Sequence, residues 1–238
     1  MTDYKRQKYF WLAIGAGLLL WHAVLRRPAY QYWYGQPAAL PEDTPQEESI
    51  VPLDEENWQA AKVGEYEILF RRRRQYAVLG RVVFVDHYDG WLKTWYLSAG
   101  RKAVKLYNAV APFDLSIIHG ETAADGNWQK IDFDHEERAL LWRYASGVRA
   151  DSREINNNHS IPASENVRAA LKILRAGEKV YAEGYLVDWK GSGEFAKVEF
   201  DTALEAGEIS KQRLGGSLTG LCRQFLITKI VFDGYVFE

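Results

Sequence analysis

The sequence predicts an α+β fold that is mostly β, with an apolar helix at its N-terminal end. Three observations predict it. Residues 9–25 form an apolar run with basic flanks. From Val63 onward, short segments rich in β-branched and aromatic residues alternate with turn signals. One stretch, 164–175, carries helical periodicity.

The first run reads "YFWLAIGAGLLLWHAVL", with Lys5, Arg6 and Lys8 before it and Arg26, Arg27 and Pro28 after it. As a helix it would extend about 25 Å at 1.5 Å per residue. That is near the lower limit for crossing a bilayer. Tyr30, Tyr32, Trp33 and Tyr34 follow as a candidate aromatic interface. A cleaved signal peptide fits less well, because two arginines and bulky rings stand where a small-residue cleavage site belongs. Residues 1–34 are therefore read as a single-pass membrane anchor, with the lipid bilayer as partner through residues 9–25. No Lys or Arg occurs between Pro28 and Ala61, so the basic bias favours the N-terminus inside. This orientation puts the following domain in the periplasm, at the inner membrane of a bacterium.

Residues 35–61 are read as an acidic, Pro-rich tether. The portion 35–57 contains four prolines and seven acidic residues, too little apolar surface to fold by itself. A loop lying over the domain is the alternative.

Residues 62–238 are the expected soluble domain. Its candidate strands are "EYEILF", "QYAVLGRVVFVDHY", "DGWLKTWYLS", "DLSIIHG", "NWQKIDFD", "RALLWRYAS", "EKVYAEGYLVDWK", "GEFAKVEFD" and "QFLITKIVFDGYVFE". Gly80 would mark a bulge in the second. In the helix, Val167, Ala170, Leu171 and Leu174 share one face. Ser164 is placed to cap it, Glu165 suits its positive end, and Arg175 and Gly177 are stop signals. Many short strands around one main amphipathic helix suggest a small, partly open barrel of OB-like architecture, or else a sheet with the helix on one face.

"NNHSIPA" at 157–163 resembles an Asn-x-His-x-Ile-Pro-Ala motif, matched by Asn157, His159, Ile161, Pro162 and Ala163. Gly177 and Gly184 after the helix, Asp114, Leu115 and Gly120 upstream, and Cys222 in "TGLCRQFLITKI" extend the likeness. The chain thereby resembles a family of uncharacterised bacterial single-pass membrane-anchored proteins. It departs at "SIIHG", where the family tends to have a tryptophan between glycines. The resemblance implies an anchor and a β-rich body, and no activity.

Read on its own residues, the same stretch braces the entry to the helix. Pro162 biases Ile161 toward extended backbone, and His159 would hold the chain by bonding a carbonyl or carboxylate. The chemical alternative is a hydrolytic site of His159, Asn157 and Asp114, or a thiol–imidazole pair of His159 with Cys222. No H-E-x-x-H, C-x-x-C or G-x-S-x-G pattern is present. His119, His135 and His159, with Asp132 or Asp134, are the histidines and carboxylates that could converge on a metal, and no metal or other cofactor is expected. "DFDHEER" at 132–138 reads as a solvated turn.

Arg71, Arg72, Arg73 and Arg74 are the candidate binding residues, for an anionic partner or lipid. The other readings are a solvated, aggregation-resistant edge and docking onto the acidic tether. A formal charge of −2 gives no reason to favour nucleic acid. The leading functional expectation is a membrane-anchored, non-catalytic binding or scaffold protein whose partner is another protein of the cell envelope. The alternatives are a membrane-anchored hydrolase and an OB-like binder of oligosaccharide or nucleic acid.

Overall fold

The computed structural model describes residues 3–40, 48–53, 57–90, 101–124, 126–136, 138–144, 147–148, 150–202, 212–213 and 222–238. The chain starts with helix α1 (Asp3–Leu20), which runs through a π-helical turn (Trp21–Leu25) into α2 (Arg26–Tyr34). The short strands β1 (Gln36–Pro37), β2 (Glu48–Pro52) and β3 (Gln59–Val63) lead into the long β4 (Tyr66–His87). Helix α3 (Lys102–Val110), β5 (Phe113–Ile118) and the hairpin β6 (Ile131–Glu136) and β7 (Ala139–Tyr144) follow. Then come β8 (Ile155–Pro162), α4 (Glu165–Ile173), β9 (Lys179–Gly191), β10 (Glu199–Phe200), β11 (Gln212–Arg213), β12 (Cys222–Phe232) and β13 (Tyr235–Phe237). The fold is α+β and mostly β, as the residue patterns predicted.

The pairing closes on itself. β4 pairs with β5, β5 with β8 and β8 with β12, and β12 pairs with β9, which returns to β4. The β8–β12 pair is parallel and the other four are antiparallel. β4 can serve two neighbours because it is long. One of its edges pairs with β9 from Ile68 to Arg81, while the other meets β3, β2 and β5 in turn.

The bulges in β4 lie at Arg72/Arg74 and Val82/Phe84, not at Gly80. Gly80 is needed for a different reason: a Cβ there would meet the Ile118 carbonyl oxygen at 2.4 Å. Gly184 has the same role on β9, where a Cβ would meet the Leu226 oxygen at 2.0 Å.

Strand alternation sends side chains to two faces. On one face, Tyr76, Val82, Leu115, Leu186 and Phe225 pack against Val167, Ala170, Leu171 and Leu174, the predicted apolar face of α4. Ser164 caps that helix, its hydroxyl accepting from Val167 N at 3.1 Å. The other face carries a second core of Leu106, Tyr107 and Val110 from α3 with Trp189 and Phe200. Tyr107 and Trp189 both stack on Phe200, with centroids 4.3 and 4.5 Å away.

Two expectations meet different geometry at the N-terminal end. No helix among the described residues is long and apolar enough to cross a membrane. The reason lies in how 9–25 is divided: α1 stops at Leu20 and includes Asp3, Lys5, Arg6 and Lys8, while residues 21–25 fall in the π turn. The segment read as a spacer, 35–61, also touches the body. β1 pairs with β13, and β2 and β3 pair with β4. These contacts are made by backbone groups, so a Pro-rich, acidic composition does not prevent them. The expected strand "DGWLKTWYLS" lies mostly outside the described residues.

Candidate functional site

Asp114, Asn157 and His159, named from sequence, meet on one face of the sheet. Asp114 is opposite His159 and Ser116 opposite Asn157 in the β5–β8 register, while Cys222 is opposite Asn157 across β8–β12. Period-two geometry points all five side chains to the α3 side.

Asp114, fully buried, is the centre. One of its carboxylate oxygens is 2.7 Å from His159 Nδ1. The Arg138 guanidinium donates to it through Nε, at 3.2 and 3.1 Å, and through Nη2 at 2.5 Å. His135 Nε2 is 3.3 Å from the other oxygen, an ion-pair distance rather than a formed hydrogen bond. Around this knot, Arg138 Nη2 donates to the Ala111 carbonyl and Nη1 to Asn108. Its guanidinium sits 4.1 Å from the ring centres of both Tyr88 and Tyr107. Asn157 Nδ2 donates to the Arg138 carbonyl at 2.9 Å, and Ser116 Oγ donates to Asn157 Oδ1 at 3.0 Å. Cys222 Sγ lies 3.7 Å from the Arg138 carbonyl and interacts with the His159 ring.

The electrostatics follow from burial and its compensation. Burial alone would raise the Asp114 carboxyl, but Arg138, His159 and His135 hold it well below the usual carboxylate range. Burial alone would lower the His159 imidazole, but Cys222 and Asp114 push it up to about 9. His135 also rises, because Asp114 and Asp86 outweigh its burial.

The sequence reading missed Arg138, and it placed His135 in a solvated turn. Asp132 and Asp134 are indeed exposed, but the His135 side chain is 1 % exposed and stacks on Phe84. Arg138 reaches inward from the β6–β7 turn with a left-handed backbone, φ 70°. Helix α3, which brings Tyr107 and Asn108, was also missed. Its signal was present, since Ala103, Leu106, Tyr107 and Val110 follow helical spacing. His119 stands apart, beside Glu154.

The chemistry available to the cluster is narrow. His159 between a carboxylate and a thiol has the order of a nucleophilic triad. The three side chains are nevertheless closed in: Cys222 is 2 % exposed, His159 1 % and Asp114 0 %. Asp114 is moreover shared with Arg138, so its first effect is to clamp the β6–β7 turn onto the sheet beneath α3. Among the described residues, no three His, Cys, Asp or Glu side chains are placed to hold a metal ion.

The four consecutive arginines do not form one surface. Arg71 and Arg73 both donate to Asp188 Oδ2, at 2.8 and 2.6 Å. Asp188 is 2 % exposed and also accepts from Thr202 N. Arg71 and Lys190 lie over Trp58, Arg72 lies over Tyr185, and Arg74 donates to the Arg73 carbonyl. β2 reaches the end of the run, with Pro52 paired to Arg74 and Leu53 N donating to the Arg73 carbonyl.

No family model, curated protein or solved structure matches this chain.

Proposed function

We propose that this protein is a membrane-anchored, non-catalytic adaptor of the bacterial envelope, with residues 9–25 in the bilayer and a β body that binds another envelope protein. The observation that carries this reading is the change of environment along one helical segment. Trp11, Leu12, Leu18, Leu19, Leu20, Val24 and Leu25 are 47–73 % exposed. One turn later, α2 is fastened to the body. Such a continuous exposed apolar stripe is costly in water and suited to lipid. The helical path continues through the π turn without a break in direction of the chain's hydrogen bonding, since Arg26 N bonds back to the Trp21 carbonyl. The orientation with the body in the periplasm, and membership of the anchored family, rest on the flanking charges and on the Asn157–Ala163 motif.

The body's strand ring is read as an OB-type barrel: five strands, a parallel β8–β12 pair, and α4 closing one end. In such barrels, the outer face of the second and third strands takes oligosaccharides or oligonucleotides. Here that face is β5–β8, and α3 and Arg138 cover it. This weighs against the oligosaccharide or nucleic-acid reading.

The hydrolase reading rests on the His159–Asp114 contact and the neighbouring Cys222. It needs a thiol that reaches substrate. In the folded full-length protein, Cys222 is expected to react with a disulfide reagent such as DTNB at least about 100-fold more slowly than in denaturant, because a buried thiol waits for local opening. Rapid native reaction that His159→Gln abolishes would favour the hydrolase. For the adaptor, photo-crosslinking of the full-length protein in membranes should join it repeatedly to one protein, read by mass spectrometry. A crosslink pattern with no protein enriched would count against an adaptor.

A further inference from the structure

The point where the apolar helical stretch meets the body is chemically distinctive. Val24 and Leu25 are 56 % and 47 % exposed, and the next two residues, Arg26 and Arg27, turn against α4. A cleft of about 160 Å³ opens there. Five basic residues line it: His22, Arg26 and Arg27 from the N-terminal helical stretch, Lys172 from the last turn of α4 and Arg175 from just beyond it. No carboxylate belongs to its lining.

The frame of the cleft is fixed. Arg26 Nη2 donates to the Lys172 carbonyl at 3.0 Å, covering the negative end of α4. Arg27 pairs with Glu178 at 2.5 Å and Asp233 at 2.8 Å, and Gln31 donates to the same Asp233. Arg27 is thus neutralised and acts as wall. Lys172 has a distant carboxylate, Asp89, at 3.8 Å, which also takes Arg168 at 3.5 Å. Arg26, Lys172 and Arg175 therefore leave the cleft with excess positive charge.

We propose that this cleft binds the phosphate of an anionic phospholipid headgroup. The inference rests on the anchor reading, which puts the end of residues 9–25 at the level of the lipid phosphates. Guanidinium and ammonium groups are the usual partners of phosphate oxygens, and basic pockets beside membrane helices recognise acidic headgroups. Arg26 and Lys172 project from two packed helices, and Arg26 is bonded in place before any lipid arrives, which lowers the ordering cost of binding. The consequence is a body held directly on the bilayer surface, since α2 and the cleft belong to one rigid junction.

The test uses the full-length protein reconstituted into nanodiscs of mixed phosphatidylglycerol and phosphatidylcholine, with retained lipids read by native mass spectrometry. The wild type should prefer phosphatidylglycerol by about tenfold. The preference should fall to near parity in Lys172→Gln/Arg175→Gln, which keeps the Arg26 bond to α4, and in the triple variant that adds Arg26→Gln. Lys5, Arg6 and Lys8 are unchanged in all three proteins, so a preference caused by the other end of the helix would survive. Equal preference in wild type and variants would overturn the proposal. Loss of the wild-type preference on adding millimolar inorganic phosphate would also overturn it, assigning the cleft to a soluble phosphate instead. Failure of the protein to enter nanodiscs would sink the anchor reading, whereas entry without any preference would sink the cleft alone.

Discussion

Asp114→Asn is expected to destabilise the body by about 3–5 kcal/mol, the cost typical of removing one partner from a buried ionic cluster. The change is nearly isosteric, so it leaves packing intact and isolates the charge. One of the two acceptor oxygens becomes an NH2 group, which Arg138 and a protonated His159 cannot donate to, and both cations lose the negative charge that they share. With no carboxylate to hold the β6–β7 turn, the turn and α3 should loosen together. Urea unfolding in detergent would show a lowered midpoint, and hydrogen exchange would rise in 102–110 and 131–144. An unchanged midpoint would mean that the cluster is not the clamp described here.

The second large effect is on pH. His159 is raised to about 9 in the folded body against an ordinary value near 6.5. A folded value above the unfolded one means that the protonated ring is favoured by folding. Its stabilisation is complete below about pH 6.5 and is lost as pH rises through about 9. The span corresponds to about 3 kcal/mol. His135, also raised, adds loss in the same direction. Asp114 works at the other end: its depressed carboxyl stabilises the fold above its ordinary value and releases that stabilisation as pH falls through the lowered one. Melting temperatures should therefore fall steadily between pH 6.5 and 9.5, and the fall should largely disappear in His159→Gln. A flat profile in the wild type would contradict a protonated imidazole at Asp114.

Much of the architecture could be read from local pattern because local pattern is what strands and caps obey. Alternation marked β5, β9 and β12, and the Ser164 cap with its i, i+3, i+4 face marked α4; β8 was not marked, because its Asn-rich residues read as a brace before the helix. Asp114, Asn157 and His159 could be named together because short motifs carried them, yet their meeting depends on the β5–β8 register, which no motif states. Arg138 could not be found that way. It lies 24 residues from Asp114 and enters through a turn whose polar composition reads as solvated. The arginine run misleads for a related reason. Its charge pattern suggests an open binding surface, yet Asp188, 117 residues from Arg71, accepts hydrogen bonds from two of the four. The acidic segment after α2 has the composition of a free linker, but β4 offers an unpaired edge, and backbone pairing there ignores side-chain polarity.

The proposed function puts the β body at the end of an apolar helical stretch that lies in lipid. Alkaline carbonate extraction of membranes from cells expressing the full-length chain tests this most directly. The account predicts that the protein stays in the membrane pellet and needs detergent for release. Recovery of the intact chain in the carbonate supernatant would contradict it.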